Sequence, residues 1–240
     1  PLVQEIETYI QQYFRACYLP GLAVGLVKNN TILLTASLGV VDVRSQKKVT
    51  AHSIFHTASI SKLFVATAVM QLVEKGKIAL EDPPHRFLPY FKLADERYQQ
   101  ITIQQMLSHV SGIPDLTDYE LGKGEDDDGA LERFVKSLHH LKLLFTPGQQ
   151  FAYSNIAYDI LGDLIAKVSG MPFEDYLQQN VLLPMGLENS TFLSHAIPDK
   201  LATTPHFHTY TNIPSNIYPY NRAHALSSTL QSRIQDMCNF

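Results

Sequence analysis

The spacing of apolar residues predicts a helix and a pair of strands at the start of the chain. Apolar side chains recur at helical intervals through residues 2–14, which indicates an amphipathic helix over the first fifteen residues. Residues 22–27 and 31–38 are rich in apolar and β-branched side chains and flank Asn29-Asn30. Because asparagine tolerates a positive φ, this pattern predicts a hairpin with a tight turn. Residues 40–44 are expected to add a third short strand.

From Ser59 onward the apolar spacing is that of helices. The first of these helices ends at Gly76 and is apolar on nearly every face, which is typical of a helix buried in the protein. Further helices are predicted over residues 102–107, 131–144, 155–169 and 172–181. Residues 195–224 contain four prolines and no clear period, so we expect a long loop there. Strands followed by a block of helices indicate the α+β class.

Composition and charge narrow the classes of partner. The chain has 240 residues, of which 45% are hydrophobic, enough for one domain with its own core. It carries 19 Lys and Arg against 23 Asp and Glu, so there is no basic excess and a nucleic-acid partner is excluded. Four of the acids form the run Glu125-Asp126-Asp127-Asp128, which we interpret as a solvated loop. No apolar stretch has the length of a membrane span, and the first twenty residues show no signal-peptide pattern.

Ser59 and Lys62 form a Ser-x-x-Lys pattern at the start of the predicted buried helix. Three residues apart on a helix, their side chains lie on the same face. An ammonium group one turn into an apolar helix has to be paired or line a cleft, because an unpaired buried charge is very costly. A lysine amine beside a hydroxyl activates serine as a nucleophile, whereas Ser59 taken alone would be interpreted as a helix N-cap. Ser45 and Lys48 have the same spacing, but no apolar helix follows directly, so we interpret Ser45 as part of a turn.

Tyr153-Ser154-Asn155 stands directly before another predicted helix and allows two interpretations. In the first, Asn155 caps that helix and Tyr153 is an aromatic residue of the core. In the second, Tyr153 takes part in proton transfer and Asn155 hydrogen-bonds a substrate amide or the catalytic lysine.

Together these motifs resemble the serine β-lactamase and penicillin-binding protein superfamily, and within it the branch of class C β-lactamases, esterases and D-peptidases. That branch has Ser-x-x-Lys at the head of a buried helix and Tyr-x-Asn at the head of a later one. Matching segments occur in the same order at residues 20–24, 55–62, 107–114, 147–155 and 183–187, so the resemblance covers nearly the whole chain. It implies an antiparallel sheet flanked by helices, with a helical subdomain.

The resemblance also implies a mechanism with an acyl-enzyme. Ser59 attacks a carbonyl, Lys62 and Tyr153 share the proton transfers, and Asn155 binds substrate. Which of Lys62 and Tyr153 is the base in each step stays open. The backbone N–H of Ser59 supplies one oxyanion donor.

Other polar residues are left out of the predicted site. His109 and Ser111 lie in a turn that the family uses structurally. His206 and His208 lack a third ligand in pattern, so we predict no metal and no cofactor. The resemblance alone implies a small-molecule or short-peptide substrate. It alone also implies a location in the bacterial periplasm or outside the cell. The sequence leaves the oligomeric state open.

One element of the family pattern is absent from the 240 residues. The family has Lys or His, one further residue and then Gly on a strand beside the nucleophile, and this sequence contains no Lys-x-Gly or His-x-Gly. We therefore interpret the chain as one catalytic domain without its C-terminal strands, made of residues 1–52 (helix and strands), 53–194 (helical block) and 195–240 (loop and the start of a terminal helix). The missing strand carries the second oxyanion donor, and loss of one donor typically lowers the rate by about 10²–10³, so we expect weak activity from this form.

Three functional hypotheses follow from these observations. The favoured one is a serine hydrolase that acts on an amide or ester carbonyl of a β-lactam, a D-alanyl peptide or a short ester. The alternative is a catalytically silent relative that serves in binding or assembly. The joint presence of Ser59, Lys62, Tyr153 and Asn155 argues against it. The third is a plain α+β domain whose motif matches are caps and turns.

Overall fold

The structure, a computed structural model, describes residues 2–119, 125–208, 211–215 and 218–240. The chain divides into two compact units. The first consists of residues 1–56, 183–219 and 231–240, and the second of residues 57–182 and 220–230. Both α-helices and small antiparallel sheets are present, which confirms the predicted α+β class. None of the helices in the described ranges is both long enough and apolar enough to cross a membrane.

The first unit begins with the helix and hairpin that the apolar spacing predicts. Helix α1 (Leu2–Ala16) packs against the second strand of an antiparallel pair, β1 (Gly21–Lys28) and β2 (Thr31–Gly39). Asn29 and Asn30 form the turn between the strands, with φ of 51° and 58°. Positive φ at both central residues gives a turn whose twist matches that of the strands, so the sequence signal was sufficient here.

The predicted third strand over residues 40–44 does not form, and this prediction was wrong. Val40 makes one isolated bridge. The Asp42 carboxylate then accepts hydrogen bonds from the backbone N–H groups of Arg44 (2.7 Å) and Ser45 (2.8 Å). An aspartate that binds the backbone two and three residues ahead closes a turn instead of extending a strand.

Short elements complete the first unit. Strands β3 (Phe55–His56) and β6 (Gln231–Ser232) pair antiparallel, as do β4 (His206–His208) and β5 (Asn212–Pro214), and helix α8 (Ile234–Asn239) packs against β1. The β4–β5 hairpin lies within the predicted loop 195–224, of which residues 209, 210, 216 and 217 fall outside the described residues. Strands of three residues are too short to give a periodic signal, which explains why the sequence did not predict them.

The second unit is a block of helices around one long central helix. Helix α5 (Asn155–Ser169) packs against α2 (Ser61–Glu74), α3 (Ile103–Leu107), α4 (Ala130–Ser137), α6 (Phe173–Leu177) and α7 (Ala225–Ser228). The N-cap of α5 is Ser154, whose hydroxyl accepts the backbone N–H of Ala157 (3.1 Å). Gly170, with φ of 75°, ends the helix as predicted. Residues 156–165 are all buried, so α5 forms the core of this unit.

Helix α4 is shorter than the predicted helix over residues 131–144. It ends at Ser137 and is followed by a 3₁₀ turn and an extended segment. In that segment the Leu141 carbonyl accepts the N–H of Ala94 and the Leu144 N–H binds the carbonyl of Gly112, both at 2.8 Å. These tertiary backbone bonds replace the helical ones, and they are not visible in local sequence.

Helix α2 was expected to be buried because it is apolar on nearly every face, and the structure buries only one of its faces. Buried residues of that face include Phe64, Val65 and Val69. On the opposite face, Leu63 is 49% exposed and Met70 is 45% exposed. The prediction of burial was therefore wrong for this side of the helix.

Candidate active site

Ser59 lies in a sharp turn directly before α2. The turn, Ala58–Ile60, is a 3₁₀ turn in which Ala58 has a φ of 47°, a left-handed conformation that is strained for alanine and typical of functional turns. The buried Ser61 holds it in place, because its hydroxyl donates to the Ala58 carbonyl (2.6 Å) and accepts the N–H of Leu230 (2.9 Å). Ser59 itself is exposed. The alternative interpretation of Ser59 as the helix N-cap is wrong, since Ile60 occupies that position.

The Lys62 side chain is 6% exposed, and its ammonium group has three hydrogen-bond acceptors. Nζ lies 3.2 Å from Ser59 Oγ, 2.6 Å from Asn155 Oδ1 and 2.6 Å from the backbone carbonyl oxygen of Ser227. An ammonium group has three N–H donors, so each of them has a partner. This explains how the fold accommodates a charged group in the first turn of an apolar helix.

Tyr153, in the Tyr153-Ser154-Asn155 motif, also contacts Ser59. Its hydroxyl lies 2.9 Å from Ser59 Oγ. The His109 ring stacks on the tyrosine ring, with centroids 4.4 Å apart, and its Nδ1 accepts the backbone N–H of Ser154 (3.2 Å). Burial, and then the charge of Lys62, lower the pKa of His109, which favours the neutral ring that this bond requires. These contacts give His109 the role of orienting Tyr153.

The Asn155 side chain is bound at both ends of its amide. Because Ser154 caps α5, the interpretation of Asn155 as the N-cap is wrong. Asn155 Oδ1 accepts from Lys62, while its Nδ2 and backbone N donate to the Asp115 carboxylate at 2.9 and 3.1 Å. Asp115 also accepts the hydroxyl of Tyr119, whose pKa is raised by burial and by this bond. The substrate-binding role of Asn155 stays a prediction, and its observed contacts position the lysine.

The four motif residues therefore come together, along with two residues that the motifs do not contain. Asp115 directly follows residues 107–114, which were matched as a structural turn, so a carboxylate at the end of that turn was the available signal. Ser227 contributes a backbone carbonyl, which any residue type supplies, so the sequence carried no signal for it. Ser111, left out of the predicted catalytic set, is buried, and its hydroxyl accepts the N–H of Ile113.

The acidic run is an exposed loop, as predicted, and three of its carboxylates are paired with arginines. Arg133 pairs with Glu125 (2.7 Å) and Asp127 (2.6 Å), and Arg222 pairs with Asp128 (2.5 Å). The hydrogen bond from Arg133 lowers the pKa of Asp127. Within the described ranges, no three His, Cys, Asp or Glu side chains are grouped so as to hold a metal ion.

The likeness to known proteins covers nearly the whole chain. The sequence model of the family described as Beta-lactamase matches residues 6–240. The chain belongs to the β-lactamase family. The resemblance to the serine β-lactamase and penicillin-binding protein superfamily is thereby confirmed, as is the β-lactamase/transpeptidase-like fold.

Individual relatives of this family member are moderately similar. "Protein flp" of Staphylococcus aureus (strain MW2) is 29% identical over 191 residues, which are 79% of this chain and 38% of that protein. "Penicillin-binding protein 4*" of Bacillus subtilis (strain 168) is 31% identical over 162 residues, which are 66% of this chain and 35% of that protein. The structure of the octameric penicillin-binding protein homologue from Pyrococcus abyssi matches with a TM-score of 0.81 and 28% identity, over 99% of this chain and 55% of that chain. This chain thus spans less than half the length of these curated relatives.

Proposed function

We propose that the protein is a serine hydrolase that forms an acyl-enzyme at Ser59. The observation that supports this most directly is that Ser59 Oγ lies within hydrogen-bond distance of both Lys62 Nζ (3.2 Å) and the Tyr153 hydroxyl (2.9 Å). A serine hydroxyl is a weak nucleophile and needs a neighbouring group to take its proton. Two such groups on one exposed hydroxyl suit both the acylation and the deacylation step.

The reaction is balanced by these groups alone. Either Lys62 in its neutral amine form or Tyr153 as the phenolate takes the proton of Ser59 while Oγ bonds to the carbonyl carbon of an ester or amide. The former carbonyl oxygen becomes an oxyanion, which the backbone N–H of Ser59 stabilises. Cleavage of the ester or amide bond then sends the proton to the leaving alcohol or amine. A water molecule repeats the sequence on the acyl-enzyme, which releases the acid and restores Ser59.

We propose a β-lactam, a D-alanyl peptide or a short ester as the substrate, within the branch of class C β-lactamases, esterases and D-peptidases. Each of these compounds presents an activated or accessible carbonyl to a serine nucleophile. A periplasmic or extracellular location stays a prediction.

Intact-mass spectrometry with a labelled penicillin, together with hydrolysis of a p-nitrophenyl ester, tests the proposal. We expect one adduct per chain, located at Ser59 and absent from Ser59→Ala. Ser45→Ala is the matched control, because it removes the serine of the second Ser-x-x-Lys pattern, whose hydroxyl accepts the N–H of Lys47 in a turn. The adduct should persist in this control. The absence of both adduct and turnover, in the 240-residue chain and in any longer form that its gene encodes, would overturn the proposal.

The second candidate is a catalytically silent binding or assembly protein. A longer form of the chain with no Lys-x-Gly or His-x-Gly segment after Phe240 would favour it. Isothermal titration calorimetry distinguishes the two functions. Penicillin binding that leaves no adduct, with equal affinity in Ser59→Ala, would support the silent protein.

A further inference from the structure

Asp159 is a fully buried carboxylate that the proposed acyl transfer does not use. It lies on α5 one turn after Asn155, so both side chains leave the same face of the helix. Its Oδ1 accepts the backbone N–H of Ser227 (3.1 Å), and its Oδ2 lies 3.1 Å from His224 Nδ1. A buried carboxylate is costly unless it is paired, and burial accordingly raises the pKa of Asp159, while the bonds from His224 and Ser227 oppose that effect.

The Ser227 N–H that binds Asp159 belongs to helix α7, which is too short to be stable by itself. Helix α7 has four residues, and an isolated single turn of helix is unstable because nucleation is unfavourable. Its placement therefore depends on contacts with the rest of the unit. Asp159 supplies one of these at the backbone N–H of Ser227, the residue whose carbonyl oxygen lies 2.6 Å from Lys62 Nζ.

We propose that Asp159 is a positioning residue of the Ser59 site, which holds the Ser227 carbonyl against Lys62. This proposal rests on the proposed acyl transfer. One face of α5 then positions two of the three hydrogen-bond acceptors of Lys62. Asn155 supplies the first acceptor itself, and Asp159 holds Ser227, whose carbonyl oxygen is the second. With the Ser227 carbonyl released, Lys62 Nζ is no longer fixed beside the nucleophile.

The chain offers a matched control for this proposal. Asp163 lies on the next turn of α5, is also buried, and accepts the hydroxyl of Tyr90 (2.7 Å). Asp159→Ala and Asp163→Ala both delete a buried, hydrogen-bonded carboxylate from the same helix. Only Asp159→Ala also removes the contact with Ser227, whose carbonyl oxygen binds Lys62.

The experiment measures the rate constant of Ser59 acylation by a labelled penicillin, with the dissociation constant of the preceding complex determined separately. We expect Asp159→Ala to lower the acylation rate constant by about 10- to 100-fold with little change in that dissociation constant, the effect of a misplaced catalytic group. Asp159→Asn keeps an oxygen acceptor for Ser227 and should restore the rate to within about threefold. Asp163→Ala should leave the rate within about threefold of the wild type. Where Asp159→Ala does not fold, Asp159→Ser replaces it.

Equal acylation by Asp159→Ala and Asp163→Ala, or an Asp159→Asn variant as slow as Asp159→Ala, would overturn the positioning role. Hydrogen exchange at the Ser227 amide gives a readout that needs no catalysis. We expect its protection to be lost in Asp159→Ala and kept in Asp163→Ala, and unchanged protection in both also overturns the proposal. A wild-type protein that forms no adduct contradicts the hydrolase function, whereas the exchange result still decides whether Asp159 holds Ser227.

Discussion

Arg222 keeps a buried carboxylate paired, and its replacement by alanine should destabilise the second unit strongly. The guanidinium Nε lies 2.5 Å from Glu174 Oε1, and a second nitrogen lies 2.5 Å from the Asp128 carboxylate. The two partners differ in environment, because the Glu174 side chain is 4% exposed and the Asp128 side chain is 84% exposed. Arg222→Ala therefore leaves the Glu174 carboxylate buried without a cation, whereas the Asp128 carboxylate stays exposed to water.

The expected magnitude follows from this difference in burial. Removing one partner of a buried ion pair costs about 3–5 kcal/mol, because an uncompensated charge is left behind. Breaking an exposed pair costs at most about 1 kcal/mol, so Asp128→Ala is the matched control. A loss of 1 kcal/mol lowers the Tm of a chain of this size by about 2–4 °C, so we expect Arg222→Ala to lower Tm by roughly 6–20 °C and Asp128→Ala by no more than about 4 °C.

Urea and thermal unfolding followed by circular dichroism measure both variants. A double variant, Arg222→Met with Glu174→Leu, removes both buried charges and should recover most of the lost stability, since an apolar pair of similar volume replaces the ions. An Arg222→Ala protein as stable as Asp128→Ala would refute the reasoning, because the buried carboxylate would then need no cation.

Three further predictions concern the candidate site. Ser61→Ala leaves the buried N–H of Leu230 without its acceptor, so it should lower the free energy of unfolding in urea by about 1–3 kcal/mol. Tyr153→Phe removes the hydroxyl beside Ser59 and should slow penicillin acylation by about 10²–10⁴ with little change in Tm, as measured by rapid-quench mass spectrometry. Folding lowers the pKa of His109, so the unfolded chain binds its proton more readily and stability is lost as the pH falls below the ordinary value of 6.5. His109→Gln should reduce the loss of unfolding free energy measured between about pH 8 and about pH 5.

Each of these predictions has a clear contrary result. Normal acylation by Tyr153→Phe would remove the tyrosine from proton transfer and leave Lys62 as the base. If His109→Gln loses as much stability at low pH as the wild type, other groups cause that loss. If Ser61→Ala has the unfolding free energy of the wild type, water replaces the missing hydroxyl.

The parts of the fold that the sequence predicted correctly are those with local signals. The hairpin at Asn29-Asn30 needs positive φ at two residues that tolerate it, and α5 ends at Gly170, which adopts the left-handed conformation. Residues 40–44 and the end of α4 were predicted wrongly because a side chain or a distant backbone group competed for their hydrogen bonds. Such partners depend on the tertiary fold, which apolar spacing does not encode.

The candidate site shows the same division between local and tertiary information. Motif spacing brought Ser59, Lys62, Tyr153 and Asn155 into the prediction, and the structure places each of them within hydrogen-bond distance of at least one of the others. Asp115 reaches Asn155 from a separate loop 40 positions away, a contact for which no spacing rule exists.

Both motifs contain an inner serine, and its role explains why the flanking residues are available for chemistry. In Ser59-Ile60-Ser61-Lys62 the buried Ser61 binds the Ala58 carbonyl and the Leu230 N–H, which fixes the turn. In Tyr153-Ser154-Asn155 the cap of α5 is Ser154, so the Asn155 amide is free to bind Lys62. Sequence alone could not choose between capping and catalysis, because serine and asparagine are both good caps. The structure assigns the capping and turn-holding bonds to the inner serines, and thus leaves Lys62 and Tyr153 to contact the Ser59 hydroxyl and Asn155 to contact Lys62.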